Sequence, residues 1–477
     1  MSIWAMLIEE ALQSVQWLFL IYFVLLNGGY IALNIFSMVV LQRYLERHSM
    51  DNLPKGHSGF DPPTSILVPA YNEEATIVAS VRSMLQLEYP KHEVIVINDG
   101  SRDGTLEQLI AEFSLHPFPE AYWRRLPSQE VRGIYLSTRH PNLRVIDKAN
   151  GGKADALNAG INAARYPLFC AVDADSILQR DSLTRVVQPF LDDRQTIVSG
   201  GTVRLANGCK VRNGFIDEIG LPDNMLARFQ IVEYLRAFLF GRLGWTPMNA
   251  VLIISGAFGL FRKEAVIEVG GYRTDTVGED MDLILRLHQH YRLQRRPYQI
   301  CYIPDPICWT EAPETLRVLK SQRMRWQRGL LESLAGSWRL LFHPRTGAVG
   351  WFAFPFFLIF EAIGPLIEVT GYVFFVFGFL LGKVSLDAFQ IFLFVAVGLG
   401  ILLSSMALLL EELSFRLYPR QNQLAKLFFA AIIENFGYRQ LNSLWRFIAL
   451  MRWLSGSRQR WGNMTRSASW QHDKKPT

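Results

Sequence analysis

Leu168 to Val172 is an unbroken apolar run that stops at two carboxylates one residue apart, Asp173 and Asp175. Both offer oxygen ligands to a hard divalent cation, Mg2+ or Mn2+, and a metal bridging a diphosphate is the natural occupant. The competing account is helix capping by Asp175 and Ser176, and the same spacing recurs at Asp280 and Asp282. Lys153 opens a helical stretch, where it can pair with a phosphate or simply be solvated. Asp280, in Gly278-Glu279-Asp280, opens another; a carboxylate there either takes a proton from an attacking hydroxyl or complements the helix N-terminal charge, a task Glu279 or Asp282 would equally perform. Gln322, Arg325 and Trp326 stand at i, i+3 and i+4, so an amide, a guanidinium and an indole converge on one helix face. The indole is a sugar-stacking platform and the guanidinium a phosphate partner. An amphipathic helix burying Trp326, Leu330, Leu334, Trp338 and Leu341 accounts for the same residues, and both hold at once if the helix lies on a bilayer and presents its first turn to a site.

Such groups need a scaffold that gathers strand ends. Thr64 to Ala70 and Val94 to Ile97 read as buried strands closing on the polar turns Tyr71-Asn72-Glu73-Glu74 and Asn98-Asp99-Gly100-Ser101. Helical spacing follows each, at Ile77, Val81, Met84 and Leu85 and then from about Thr105. Leu143 to Ile146 repeats the pattern, leading through Lys148-Ala149-Asn150-Gly151-Gly152-Lys153 into a helix that ends near Arg165. Strand, acidic turn and helix in succession predict βαβ units and a parallel sheet, whose ligands bind beyond the carboxyl ends of the strands. Thr196 to Leu205 is a further strand. Met225 to Arg242 sets Leu226, Phe229, Val232, Leu235 and Leu239 opposite Arg228 and Arg236, read as a helix lying on a membrane surface in preference to a core helix. There is no phosphate-binding Gly-x-x-x-x-Gly-Lys loop, no Gly-x-Gly-x-x-Gly after a strand and no His-Glu-x-x-His, which removes the common nucleotide and zinc-hydrolase readings.

The chain of 477 residues is half hydrophobic and only 19% charged, but unevenly so. Residues 15–41 contain no charged side chain and exceed the hydrocarbon thickness of a bilayer, a transmembrane helix. The run is too long for a signal peptide, and Glu9 and Glu10 stand where a basic segment belongs. Arg43, Arg47 and His48 place the following domain in the cytosol; 51–63 is a linker. Residues 351–381 are apolar apart from Glu361 and Glu368, which must face protein or water and are candidates for lining an acceptor path, with a break at Gly364-Pro365. Residues 389–410 form another span. From 424 to 450 Glu434, Asn435, Arg439 and Arg446 interrupt the apolar pattern, predicting a hairpin or interfacial segment, and a basic cytosolic tail follows in which Trp461 to Arg466 fold back on the soluble domain. The net charge of +6 is not gathered into a phosphate stripe, so no nucleic-acid partner is expected. Cys170, Cys209, Cys301 and Cys308 have no metal-ligand spacing and read as reduced cytosolic thiols.

Pro69-Ala70-Tyr71-Asn72-Glu73, Asn98-Asp99-Gly100-Ser101, Gly152-Lys153-Ala154-Asp155-Ala156-Leu157-Asn158, Asp173-Ala174-Asp175, Gly278-Glu279-Asp280 and Gln322-Arg323-Met324-Arg325-Trp326 occur in that order. The series resembles the membrane-integrated family 2 glycosyltransferases, the synthases of cellulose, hyaluronan, chitin-like oligomers and poly-N-acetylglucosamine. The resemblance implies an α/β GT-A domain, the nucleotide-diphospho-sugar transferase fold, with α-helical transmembrane segments on both sides. It divides the chain into an N-terminal transmembrane helix (1–45), a cytosolic GT-A domain (62–320), the Gln-x-x-Arg-Trp and interfacial helix (321–348), C-terminal transmembrane or interfacial helices (349–451) and a tail (452–477). It implies an inverting enzyme carrying a sugar from UDP-N-acetylglucosamine or UDP-glucose to a growing β-linked polysaccharide, processive and coupled to export. The alternatives are a non-processive enzyme acting on a lipid acceptor and, lower, a transporter subunit with a degenerate nucleotide-binding domain. By the same resemblance Asp280 is the base; Ala70, Glu73, Asp99, Lys153, Asp173 and Asp175 bind the nucleotide sugar, Asp99 through uracil or ribose; Asp173 and Asp175 hold Mg2+ or Mn2+; and Ser255, Gly256, Gln322, Arg325 and Trp326 meet acceptor or diphosphate. An Asx turn is the other account of Asp99. The expected partners are the UDP-sugar, a polysaccharide or lipid acceptor, the bilayer of a bacterial inner membrane and, because the membrane portion is sparse for a pore and no cyclic-dinucleotide regulator is expected past residue 477, accessory export subunits.

Overall fold

The computed structural model describes residues 3–50, 61–212, 214–418 and 420–457. Most of the expected linker and the stretch Trp461 to Arg466 therefore lie outside the described residues. Twelve strands follow in chain order: β1 (Thr64–Ala70), β2 (His92–Asn98), β3 (Leu115–Pro117), β4 (Val131–Ser137), β5 (Leu143–Lys148), β6 (Leu168–Val172), β7 (Ile177–Leu178), β8 (Thr196–Leu205), β9 (Lys210–Arg212), β10 (Phe215–Glu218), β11 (Phe258–Arg262) and β12 (Gln299–Thr310). Ten make one sheet in the order β3-β4-β5-β2-β1-β6-β11-β8-β12-β7, and β9 with β10 forms a separate hairpin. Strands β5, β2, β1 and β6 are parallel. Helices cover them, α2 (Ile77–Leu85), α3 (Thr105–Phe113) and α4 (Lys153–Ala163), which is why these strands read as continuous Val/Ile runs rather than alternating ones.

Beyond these four parallel strands the sheet is mixed. β11 runs antiparallel between β6 and β8, and Phe261 stacks on its cross-strand partner Phe169 with ring centroids 5.2 Å apart. Strand direction leaves no mark on a short apolar run buried on both faces, so composition gave no warning. After the short α5 (Ser182–Val186) and α6 (Gln188–Asp192) comes α7 (Met225–Leu235), and this corrects the surface-helix reading of 225–242. Ile231, Val232, Leu235, Leu239 and Phe240 are all buried, and Arg236, expected on the polar face, pairs with Glu434 at 2.7 Å. The helix is packed between sheet and membrane block. Beyond α8 (Lys263–Glu268), α9 (Glu279–Leu293) and α10 (Leu316–Gly336) complete the soluble layer.

The membrane block comprises α1 (Ile3–Met50), a limb at Val349–Ala362 that includes α11 (Phe354–Phe356), α12 (Gly364–Leu380), α13 (Leu386–Leu393), α14 (Leu399–Ser414), α15 (Gln421–Ile433) and α16 (Tyr438–Leu454). Glu10–Glu46 and Leu386–Ser414 are long and apolar enough to cross a bilayer, and Val349–Ala362 with Gly364–Leu380 is a bent pair at 45°, broken at the expected Gly364-Pro365. Residues 424–450, read as a hairpin or an interfacial segment, form two helices joined at Glu434–Gly437, α15 lying on α14 and α7 and α16 on α10 and α12. Block and domain share one core, with Leu33 and Leu41 of α1 and Ala407, Leu408 and Leu427 packed into the same cluster as the sheet. A second cluster is largely aromatic, with Phe375 stacked on Phe392 at 4.1 Å. Arg204 of β8 and Glu411 of α14 form an ion pair in which each side chain is 3% exposed.

Candidate active site

Every residue to which the resemblance assigns a role lines one cavity of about 1470 Å3: Ala70, Glu73, Asp99, Lys153, Asp173, Asp175, Ser255, Gly256, Asp280, Gln322, Arg325 and Trp326. The carboxyl ends of β1, β2 and β6 supply the first group. Asp173 leaves β6 directly and pairs with Lys153 Nζ at 2.5 Å; Lys153 reaches it from the first residue of α4. Among the described residues no three His, Cys, Asp or Glu side chains cluster to hold a metal. The donor set is therefore two aspartates at most, which fits a cation that takes its remaining ligands from substrate phosphates.

Gly256 ties the two halves of the site together. Its carbonyl accepts from Lys153 Nζ at 3.1 Å and its N–H donates to Asp280 Oδ2 at 3.1 Å. A Cβ at this position would stand 3.1 Å from that Nζ, a tight approach that the lysine end must relieve by a few tenths of an ångström, and in ordinary contact with the same Oδ2 at 3.5 Å. Asp280 Oδ1 accepts from the N–H of Met281 at 2.8 Å, leaving the carboxylate oriented at the mouth of α9. Beside it Glu279 is pushed up to about 7 by burial, with Asp280 adding and Lys153 opposing. Burial works against the Lys153 ammonium, yet Asp173 and Glu279 hold its pKa above the ordinary lysine value.

Asp99 lines the same cavity and is held by the turn that follows β5. Its Oδ1 accepts from Lys148 Nζ and Gly151 N–H, its Oδ2 from Asn150 Nδ2 and Gly152 N–H. Four donors fill a carboxylate. In this arrangement Asp99 holds the Asn150-Gly151-Gly152 turn, and contact with uracil or ribose requires one of those donors to give way. Lys148, fully buried, also pairs with Asp155 at 2.6 Å. Neither Lys148 nor Asp155 was a site candidate, although both flank the Gly151-Gly152 turn in sequence.

The Gln-x-x-Arg-Trp face is as the spacing predicted. Gln322 Oε1 is buried with no hydrogen-bond partner among the described residues, and Trp326 is 43% exposed. Sequence reasoning passed over Arg323, whose guanidinium lies 4.4 Å from the Trp326 ring centroid and pairs with Glu233 at 2.8 Å. Glu233 also accepts from Tyr438. α10 touches α9 backbone to backbone: a Cβ on Gly278 would come 2.7 Å from Gly329 Cα. The cavity continues between the membrane helices to Glu361 and Glu368. Glu361 pairs with Arg446 at 2.7 Å and accepts from Tyr30; Glu368 accepts from Ser443. Both glutamates face protein, as their cost in lipid required.

A model of glycosyl transferase family 2 matches residues 65–121, and one of the glycosyltransferase like family 2 matches 128–329. The chain carries a family 2 glycosyltransferase domain. The chain is 31% identical over 284 residues to the poly-beta-1,6-N-acetyl-D-glucosamine synthase of Staphylococcus aureus strain COL, covering 59% of this chain and 58% of that one. It is 30% identical over 266 residues to the enzyme of that name from Staphylococcus epidermidis, covering 56% and 54%. The matches thus span little more than half the length of these relatives. The mannosyltransferase PcManGT of Pyrobaculum calidifontis, solved with GDP-Man and Mn2+, superposes with a TM-score of 0.51 at 19% identity, over 88% of this chain and 99% of that one. That likeness agrees with the GT-A fold.

Proposed function

We propose that the protein is a membrane-bound inverting glycosyltransferase that extends a β-linked polysaccharide from a UDP-sugar, with the domain at 62–320 on the cytosolic face of a bacterial inner membrane and the helices at 1–45 and 349–451 as its anchor. The observation that carries this reading is the unbroken cavity from the strand-end carboxylates to the polar groups between the membrane helices. A degenerate nucleotide module has no use for that continuity. The relatives named as poly-beta-1,6-N-acetyl-D-glucosamine synthases favour UDP-N-acetylglucosamine over UDP-glucose.

In the proposed reaction Asp280, fixed by Gly256 N–H, takes the proton of the acceptor hydroxyl as its oxygen bonds to the anomeric carbon. The bond from that carbon to the diphosphate breaks on the opposite face, inverting the centre, and UDP leaves. Lys153 and Arg325 offer the leaving diphosphate two cations. Trp326 stacks against the acceptor sugar, and Gln322 Oε1 accepts one of its hydroxyls. Asp173 and Asp175 would hold Mg2+ or Mn2+, which supplies positive charge against the departing diphosphate; the mannosyltransferase of like fold, solved with Mn2+, supports the use of a divalent metal. Asp99 acts through the Gly151-Gly152 turn, and Ala70 and Glu73 border the nucleotide end of the cavity.

A lipid acceptor is the second reading, favoured by Phe356, Phe357 and Phe360 among the residues that line the membrane end of the cavity. Purified protein in detergent with Mg2+ or Mn2+ and a panel of UDP-sugars tests both. UDP release with long radiolabelled product supports the synthase, a single-sugar lipid product supports the second reading, and no release with any sugar overturns the enzymatic one.

A further inference from the structure

Away from the active site, the end of α9 and the turn before the limb Val349–Ala362 enclose a cleft of about 410 Å3. Four arginines line it, Arg292, Arg295, Arg296 and Arg345, with Tyr291 and two prolines and, among the described residues, no carboxylate. Arg296 is compensated by Glu268 at 2.9 Å. Arg292 donates to the hydroxyl of Tyr298 at 3.0 Å and Arg345 to the carbonyl of Leu293 at 3.2 Å. Those bonds orient the guanidinium groups without neutralising them, and Arg292, Arg295 and Arg345 form no ion pair among the described residues. Part of this charge complements the C-terminal carbonyls of α9. One helix end does not call for four guanidinium groups around a hollow.

The surroundings say what fills it. Arg345 precedes the limb Val349–Ala362 by four residues, and Trp338, Phe342, Trp351 and Phe352, all within seven residues of it in the chain, are 67%, 52%, 48% and 64% exposed. Exposed tryptophan and phenylalanine at the foot of a membrane helix belong at headgroup level. Planar guanidinium groups pair bidentately with phosphate oxygens. We propose that this cleft binds the phosphate of an anionic phospholipid of the cytosolic leaflet, docking the far end of α9, whose first turn carries Asp280, on the bilayer. The proposal rests on reading Val349–Leu380 as a membrane limb but not on the identity of the transferred sugar.

Full-length protein in nanodiscs of phosphatidylcholine doped with phosphatidylglycerol tests it, with bound lipid read by native mass spectrometry after release. The double variant Arg295→Gln/Arg345→Gln should retain phosphatidylglycerol at least about tenfold less than wild type, with phosphatidylcholine unchanged. Arg295→Lys/Arg345→Lys keeps the charge but not the planar fork and should retain an amount between the wild type and the Gln variant. Inorganic phosphate at millimolar concentration should not displace the lipid. Equal retention by the Gln variant at unchanged thermal stability overturns the site. Displacement by inorganic phosphate, without enrichment of phosphatidylglycerol over phosphatidylcholine, overturns the lipid as its occupant. UDP binding measured on the same samples reports the transferase site separately.

Discussion

Asp280→Asn keeps the size of the side chain and one acceptor oxygen for Gly256 N–H but removes the basic carboxylate. UDP release should fall by a factor of about 100 to 10,000 while UDP still binds, measured by coupled assay and calorimetry. Release at the wild-type rate would transfer the role to Glu279, whose raised pKa makes it the alternative base. Gly256→Ala places a methyl against the mobile end of Lys153. It should lower kcat more than it raises KM for the donor. The carboxylates and the Gln-x-x-Arg-Trp face were legible because their chemistry lies in residue type and short spacing. Lys148 was not, since its partner Asp99 is 49 residues distant and only the pairing of β2 with β5 brings them together. Arg323, three residues before Trp326, stood beside the ring by spacing alone, but its pairing with Glu233, 90 residues away, is visible only in the fold.

At the scale of the element, the Gly151-Gly152 turn stands on one buried cation. Lys148→Met leaves Asp99 and Asp155 without their ammonium and should destabilise the protein by about 3 to 5 kcal/mol in a denaturation experiment. Helix α9 carries a second device. His288 is fully buried between the hydroxyl of Tyr298 and the carbonyl of Val251, and burial lowers its pKa to about 4 from the ordinary 6.5. The unfolded chain therefore binds the extra proton first. The stabilisation is complete above pH 6.5 and drains away as pH falls towards 4, by at most about 3 kcal/mol. His288→Gln should flatten the fall of melting temperature between pH 7 and pH 4.5. The parallel half of the sheet was legible from apolar runs ending in acidic turns, but β11 and β12 pair at long range. The stripe of α7 was misread because a face packed on membrane helices and a face packed on lipid have the same composition.

For the whole molecule, the buried Arg204–Glu411 pair makes domain and membrane block one unit. Arg204→Met strands a buried carboxylate and should cost about 3 to 5 kcal/mol, whereas Arg204→Met with Glu411→Leu should recover most of it. Purified yield and melting temperature in detergent distinguish the two variants, and equal behaviour would mean that the pair is not a joint. The contact of Gly278 with Gly329 bears on heredity as much as on mechanics. Every single-base change that replaces either glycine introduces at least a Cβ into a space already filled by the opposite backbone. In a saturation library selected for glycosyl transfer, two positions with no side chain and no part in the chemistry should be as empty of survivors as Asp280 itself.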